Sequence, residues 1–251
     1  MQKITEPQIR ILKIIMAVIL LASMFFIARE GAVCVSNMQL QEKEKEQNAG
    51  EICVVIDAGH GGSDPGKVGI NGALEKEINL LIAKKLQKIL EAQNIKTVMT
   101  RTEDAGLYEE NISNKKVQDM KHRVEIIEQS GCVLVVSIHQ NSYQQEEIQG
   151  SQVFYYTGSQ EGRKLAELIQ ASLIKRVDRD GTRVAKGNDD YYLLRKTSVP
   201  IVIVECGFLS NYTEAQQLIS DAYQEKTAWA IHMGILQYLR NYNCIRSGDN
   251  V

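Results

Sequence analysis

Three side chains that can bind a metal ion or transfer a proton beside it stand at or just after the ends of apolar runs. His60 comes shortly after the run at 52–57, His139 directly follows the run at 132–138, and Glu205 closes the run PIVIVE. Open α/β sheets build their sites at the carboxyl ends of the strands. Two histidines and one carboxylate make an open zinc site, and a second, unligated carboxylate can move a proton from water to a leaving nitrogen. The pattern therefore indicates amide hydrolysis.

Each of these residues also has a reading without metal chemistry. The glycine-rich loop around His60, GHGGSDPG, could bind phosphate, but it lacks both the P-loop and the dinucleotide-binding signatures. A single histidine at a strand end is often a hydrogen-bonded core residue, and Glu205 alone could form a buried salt bridge. Glu75 lies beside Lys76 and Glu77, where a solvated helix end is the default interpretation. Spacing alone therefore does not single out Glu75.

Short β-branched runs alternating with amphipathic stretches predict the elements that carry these residues. Continuous apolar runs predict buried strands, and a period near 3.6 predicts helices. The strands are expected at 52–57, 96–100, 132–138, 151–157 (at a sheet edge) and 200–205. The helices are expected at 74–93, 116–130 and 160–177, followed by two helices capped by Thr213 and Asp221, the last ending near 239. We therefore expect an α/β fold, a single domain with a central mostly parallel sheet covered by helices on both faces.

The composition excludes one class of partner and limits the cysteine chemistry. The 29 basic and 31 acidic residues of this 251-residue chain are nearly balanced and do not cluster in the main body, which argues against nucleic-acid binding. The five cysteines show no C-x-x-C spacing. We expect free thiols, buried at Cys53, Cys132 and Cys206, and no disulfide framework.

The N-terminal part of the chain predicts export. Residues 14–28 are uninterruptedly apolar and follow Lys3, Arg10 and Lys13, as in a transmembrane signal anchor whose following domain faces outward. A cleaved signal peptide is the alternative, although no good cleavage site follows. The predicted organisation is an N-terminal transmembrane segment over 1–35, a polar tether over 36–50, a catalytic domain over 51–242 and a disordered tail over 243–251.

Four motifs carry a resemblance to a known family. In order, VVIDAGHGG, GALEK, SIHQNS and VECGFLSN resemble the zinc-dependent N-acetylmuramoyl-L-alanine amidases of the amidase-3 type, over residues 52–240. The resemblance implies that one Zn²⁺ ion is held by His60, Glu75 and His139, and that Glu205 is the catalytic base. The implied substrate is a peptidoglycan glycan strand with its stem peptide. Three further motif positions are assigned by resemblance, each with a purely structural alternative: Asp57 supporting a zinc histidine, and Asn141 and Arg195 contacting substrate.

Weaker motifs narrow the resemblance. The anchor-plus-domain layout, with FYYT, YYLLRKT and GILQYL, is similar to the CwlD-type sporulation amidases, which strip peptide from muramic acid before muramic-δ-lactam forms in the spore cortex. This implies a protein anchored to the outer face of the cytoplasmic membrane, in the forespore envelope. The loop 142–150 leaves no room for an autoinhibitory insertion, so restraint would come from an accessory protein or from timed expression. A zinc peptidase acting within the stem peptide and a non-catalytic wall-binding protein are the alternatives.

Overall fold

The computed structural model describes residues 16, 20, 23–32, 36, 52–109 and 111–247, with side chains as far as 242. The chain divides into two units, residues 1–50 and 51–251. In the first unit, residues 23–32 are helical and exposed. Within the described ranges, no helix is both long enough and apolar enough to cross a bilayer. The rest of the predicted anchor (1–35) and nearly all of the tether (36–50) lie outside the described residues, so both stay predictions.

The second unit alternates strands and helices in the predicted order. The strands are β1 (Cys53–Ala58), β2 (Lys96–Met99), β3 (Leu134–Asn141), β4 (Gln152–Tyr155), β5 (Lys186–Gly187) and β6 (Ile201–Phe208). The helices are α1 (Glu75–Glu91), α2 (Lys115–Gln129), α3 (Gln160–Arg176), α4 (Tyr192–Lys196), α5 (Tyr212–Leu218) and α6 (Asp221–Ser247). Only β5 and α4 have no predicted counterpart, because two and five residues are too few to show a period.

The sheet is mixed but mostly parallel, as predicted. Its strand order is β2-β1-β3-β6-β4-β5. The strands β2, β1, β3 and β6 run parallel, whereas β4 is antiparallel to β6 and pairs in parallel with β5. The strand at 151–157 was expected at the edge, but the short β5 lies outside it. The carboxyl ends of the three central strands β1, β3 and β6 therefore meet at one edge of the sheet.

Alternation along the central strands separates two faces, and helices cover both, as predicted. One face packs against α1, α3, α5 and α6 through residues such as Val54, Val136 and Val204. The other packs against α2 and α4 through Val55 and Ile203, among others. Successive side chains of a strand point to opposite faces. The strand residues of this second set occupy odd-numbered positions of β1, β3 and β6, as do the polar residues Asp57, Ser137, His139 and Glu205. The polar site therefore lies on the face covered by α2 and α4.

The cysteine expectation is wrong for one pair. Cys53 and Cys132 form a disulfide, with 4.4 Å between their Cα atoms. They lie at or just before the starts of the neighbouring parallel strands β1 and β3. Their separation of 79 residues in the sequence gives no sign of this proximity. Cys206 is a buried free thiol, as predicted. The side chains of Cys34 and Cys244 lie outside the described residues.

The helix termini differ from prediction in three places. Asp221 is the first residue of α6 and not its cap; the Ser220 hydroxyl before it accepts a hydrogen bond from the Tyr223 N–H at 3.3 Å. Asn211, not Thr213, caps α5, because its extended backbone lets the side chain accept a hydrogen bond from the Glu214 N–H at 2.9 Å. The last helix, α6, continues to Ser247, beyond the expected end near 239 and into the segment assigned to the tail. Residues 248–251 lie outside the described part of the chain.

Candidate metal centre and catalytic site

Three predicted ligands converge from separate parts of the chain. His60 comes from the loop after β1, Glu75 from the first residue of α1, and His139 from β3. One potential ligand atom from each lies within 4.8 Å of the others. The Glu75 Oε1 atom is 3.3 Å from His60 Nε2 and 3.0 Å from His139 Nδ1. Two imidazole nitrogens and a carboxylate are a donor set that a divalent transition metal such as zinc accepts, so these residues fit the implied ion.

The backbone beside His60 passes very close to the ring of His139. A Cβ atom at Gly59 would lie 2.2 Å from Cε1 of His139, so only glycine lets β1 run into the loop at this point. His60 itself has a φ of 62°, in the left-handed region that L-residues seldom adopt and that recurs at functional sites. Its Nδ1 lies 2.8 Å from Asp64 Oδ2. An Nδ1–H donated to that carboxylate leaves Nε2 free to bind a metal.

Glu75 is buried, which overturns the default reading of a solvated helix end. It is only 2% exposed. Its Oε1 accepts a hydrogen bond from the Gln140 N–H at 3.0 Å, and its Oε2 accepts one from the Lys67 N–H at 2.8 Å. Burial alone raises the pKa of Glu75, but hydrogen bonds and charge from His139 and His60 outweigh it and hold the pKa well below its usual range. Glu75 is therefore ionised, as a metal ligand must be.

Glu205 lies beside these ligands but is differently bonded. It pairs in register with His139 across β3 and β6 and is 6% exposed. Its Oε1 accepts a long hydrogen bond from the Tyr191 hydroxyl at 3.4 Å, and its Oε2 has no hydrogen-bond partner among the described residues. Burial raises the pKa of Glu205 to about 7. A buried carboxyl that exchanges protons near neutral pH is suited to general acid–base chemistry.

Asp57 does not contact an imidazole in the way the sequence suggested. Its Oδ1 accepts from Arg123 Nη1 at 2.5 Å and from the Thr100 hydroxyl at 2.7 Å, and its Oδ2 accepts from Ser137 at 2.5 Å. Burial alone raises the pKa of Asp57, but the Arg123 charge dominates the opposing effects and brings the pKa down to about 2. Arg123 also donates from Nη2 to the His60 carbonyl at 2.7 Å. Asp57 is therefore linked to His60 through Arg123 and the backbone, whereas Asp64 contacts the His60 ring directly. The supporting role of Asp57 toward a zinc histidine stays a prediction.

The two predicted substrate contacts have no described contact with the candidate ligands. Asn141 ends β3 and its Oδ1 accepts a hydrogen bond from the Ser142 N–H at 2.8 Å. Arg195 is exposed on α4. Neither is among the described residues that line the cavity beside His60 and His139. Their roles in substrate binding stay predictions.

Sequence reasoning missed Arg123, Asp64 and Tyr191, and only the first two leave a signal. Arg123 interrupts the apolar stripe of α2 formed by Met120, Val124 and Ile127, at the i, i+3, i+4 spacing of a buried helix face. A cation on such a face requires a buried partner, which is Asp57. Asp64 stands four residues after His60 in a glycine-rich loop. No spacing singles out Tyr191.

A cavity of about 320 Å³ opens beside His60 and His139 on the α2 side of the sheet. Its walls bring together parts of β1, β3, α2 and the segment at α4. Among its lining residues are His60, His139, Tyr191, Met120, Lys115 and Lys116. This is the space available for a substrate beside the candidate ligands.

Comparison with known proteins gives a consistent assignment. A family model described as N-acetylmuramoyl-L-alanine amidase matches residues 54–237. The germination-specific N-acetylmuramoyl-L-alanine amidase of Bacillus subtilis is 37% identical over 188 residues, which cover 74% of this chain and 78% of that protein.

Solved structures agree. The CwlD amidase from Clostridioides difficile, determined in complex with the GerS lipoprotein, is 40% identical with a TM-score of 0.74, covering 75% of this chain and 98% of that one. The amidase AmiC2 of Nostoc punctiforme is 35% identical with a TM-score of 0.65, covering 77% and 99%. The chain therefore belongs to the N-acetylmuramoyl-L-alanine amidase family and is a peptidoglycan amidase that cleaves the bond between N-acetylmuramic acid and L-alanine.

Proposed function

We propose that this amidase is zinc-dependent, with His60, Glu75 and His139 holding one Zn²⁺ ion and Glu205 transferring the proton. One observation carries the proposal. Three ligand atoms of the right types lie within 4.8 Å of one another, and a buried carboxylate with one unpartnered oxygen stands beside them. Burying a carboxylate oxygen without a hydrogen bond costs free energy, so such a group indicates a catalytic role in which that oxygen must stay available.

The protein's contribution to metal binding is to fix charge and orientation. The Glu75 carboxylate supplies one negative charge, and Asp64 orients the His60 ring. When bound, zinc supplies Lewis acidity, which polarises a carbonyl oxygen and lowers the pKa of water toward neutrality.

The proposed reaction moves one proton through Glu205. The ionised carboxylate accepts a proton from the water that attacks the lactyl carbonyl carbon. As the carbon–nitrogen bond breaks, Glu205 returns this proton to the nitrogen of L-alanine, which leaves as an amine. The lactyl group is released as a carboxylic acid, which then loses its own proton to water. The Tyr191 hydroxyl, 3.4 Å from Oε1, keeps one carboxylate oxygen oriented and leaves Oε2 for the proton.

Metal content measured together with activity tests the assignment. We expect Glu75→Gln to lower bound zinc and peptide release together, because the substitution removes an anionic ligand. Glu77→Gln is the matched control, since Glu77 is exposed in the same first turn of α1. The variants and the wild type should be compared by metal analysis and by mass spectrometry of digested muropeptides. If Glu75→Gln keeps full zinc content and full activity, the ligand set is wrong.

We further propose that the enzyme works in spore-cortex maturation, supplying peptide-free muramic acid for muramic-δ-lactam. Support comes from two similar proteins: a germination-specific amidase and a CwlD amidase. Deleting the gene in the native host should remove muramic-δ-lactam from cortex muropeptides. A normal content of muramic-δ-lactam in such spores would contradict the role.

The proposed location is the outer face of the cytoplasmic membrane, in the forespore envelope. Support comes from the apolar run at 14–28 with preceding basic residues and from the location of peptidoglycan outside that membrane. The proposed partners are the membrane, through this segment, and an accessory protein, as the CwlD amidase was solved with a lipoprotein. Fractionation of cells producing the full chain should place it with membranes, sensitive to external protease. Recovery from the soluble cytoplasm would contradict the location.

A further inference from the structure

Two lysines at one end of the catalytic cavity form no ion pair among the described residues. Lys115 and Lys116, in the first turn of α2, line the same cavity as His60 and His139. The Lys115 ammonium lies 5.1 Å from the ring centre of Tyr108. Three lysines elsewhere in the domain form ion pairs: Lys76 with Asp104 at 2.6 Å, Lys85 with Asp221 at 2.5 Å and Lys164 with Glu161 at 2.8 Å. What distinguishes Lys115 and Lys116 is that they line the catalytic cavity.

The acidic residues in the cavity wall are already occupied by other donors. Asp119 accepts hydrogen bonds from the Leu107 N–H at 2.7 Å and from Arg123 Nε at 2.6 Å. Asp64 is bonded to His60 at 2.8 Å and to the Gly66 N–H at 3.1 Å. Lys116 acts electrostatically on Asp64, but the wall still presents two lysine ammonium groups that form no direct ion pair among the described residues.

Helix stability does not explain where these lysines stand. The first turn of α2 contains no acidic residue, and cations at a helix N-terminus are unfavourably placed in the field of the helix dipole. Their position is unfavourable for the isolated helix but useful if an anion enters the cavity.

We propose that Lys115 and Lys116 bind a carboxylate of the stem peptide, so that the enzyme selects an anionic peptide beyond the alanine. The inference rests on the proposed function, which places the scissile bond at the His60–His139 cluster. Arg123, which bonds the His60 carbonyl, is eight positions along α2 from Lys115, or about 12 Å at 1.5 Å per residue. An extended peptide covers about 3.4 Å per residue, so a carboxylate roughly three to four residues from the cluster reaches the lysines.

The test compares two synthetic muropeptides that differ only in the stem peptide, with its carboxylates either free or converted to primary amides. With the zinc-loaded full chain, we expect the KM for the acidic form to be about tenfold lower. In the double variant Lys115→Gln/Lys116→Gln, the ratio of the two KM values should fall to about one. A preference that disappears in moderate salt would agree with an ion-pair origin, since salt screens exposed charges.

Lys121→Gln is the matched control, because Lys121 is exposed on the same helix but outside the cavity lining. It should keep the tenfold ratio. Equal KM values for both substrates in the wild type, or a ratio unchanged in the double variant, would overturn the lysine site. Failure of the proposed function is distinguishable from this, because neither muropeptide would then be cleaved in a zinc-dependent way. Failure of the lysine site alone leaves zinc-dependent cleavage of both. Calorimetric titration of both muropeptides into Glu205→Gln gives a binding readout independent of turnover, and equal affinities there would also overturn the proposal.

Discussion

Two buried carboxylates on the central strands β1 and β6, which lie on either side of β3, have opposite surroundings. Asp57, near the end of β1, accepts hydrogen bonds from Arg123, Thr100 and Ser137, and its pKa falls to about 2. Glu205, on β6, has one long hydrogen bond from Tyr191 and one oxygen without a described partner, and its pKa rises to about 7. Both follow apolar strand residues and face the same side of the sheet.

Both carboxylates are buried, so the hydrogen-bond donors around each one, more than its burial, determine its role. A carboxylate with many donors stays ionised and supports the structure, whereas one with few donors can exchange a proton in catalysis. Asp57 is held ionised at every physiological pH, so it can anchor Arg123 but cannot exchange a proton. Glu205 is poised between its two protonation states. Four changes can break or sharpen this contrast, from the largest expected effect to the smallest.

Glu205→Gln should lower kcat by about 10²–10⁴-fold, the usual contribution of general acid–base catalysis. The melting temperature of the metal-loaded variant should not fall, because the substitution removes a buried charge that lacks full pairing. Muropeptide digestion and thermal unfolding measure the two effects. A kcat within tenfold of wild type would remove Glu205 from the mechanism.

Arg123→Met should cost about 3–5 kcal/mol of unfolding free energy, because it leaves the Asp57 carboxylate buried and unpaired. The double variant Arg123→Met/Asp57→Asn should recover part of that loss. Denaturant unfolding of the three proteins measures the effect. If the single variant loses less than about 1 kcal/mol, the Asp57 region is not held together by charge.

The two carboxyls should give the unfolding free energy of the metal-free protein opposite pH dependences. The folded pKa of Asp57, about 2, lies below its unfolded value near 4. Its contribution, about 2–3 kcal/mol, is present above pH 4 and lost as pH falls toward 2. The folded pKa of Glu205, about 7, lies above its unfolded value, so Glu205 costs stability as pH rises from about 4 to 7. Unfolding curves of wild type, Asp57→Asn and Glu205→Gln across this range isolate each contribution, and parallel curves would contradict both.

Tyr191→Phe should have the smallest effect. Removing the hydroxyl that donates to Glu205 withdraws a contact that favours the charged form, so the pKa of Glu205 should rise. The acidic limb of the kcat/KM profile should move upward by about half a unit to one unit, since one neutral hydrogen bond contributes roughly 1 kcal/mol. Tyr192→Phe, at the adjacent exposed tyrosine, is the control. A downward shift for Tyr191→Phe would contradict the assigned role of the hydroxyl.

Apolar runs predicted the central strands, and strand ends predicted where His60, His139 and Glu205 would meet. These signals are local, because burial on both faces imposes a continuous apolar run. Glu75 came only from the family resemblance, since a glutamate opening a helix looks the same whether it is solvated or folded under a loop.

What the sequence did not reveal depends on contacts between distant positions. The Asp57–Arg123 pair spans 66 positions and the Cys53–Cys132 pair spans 79. Arg123 could have been suspected from the apolar stripe that it interrupts, but its partner could not have been chosen among many acids. The short elements α4 and β5 show no periodicity in the sequence. Because α4 was not predicted, Tyr191, which directly precedes it, was not identified either.

The alternation of side chains along β1, β3 and β6 makes the enzyme unequally tolerant of insertions and deletions. Removing one residue within β3 ahead of His139 would turn that imidazole toward α1 and α3, whereas a change of two residues would keep its side. Loops such as 142–150 should tolerate changes of length better, because they lie outside the sheet. In a library of length variants, survivors should therefore cluster in the loops and in even-numbered changes to the strands.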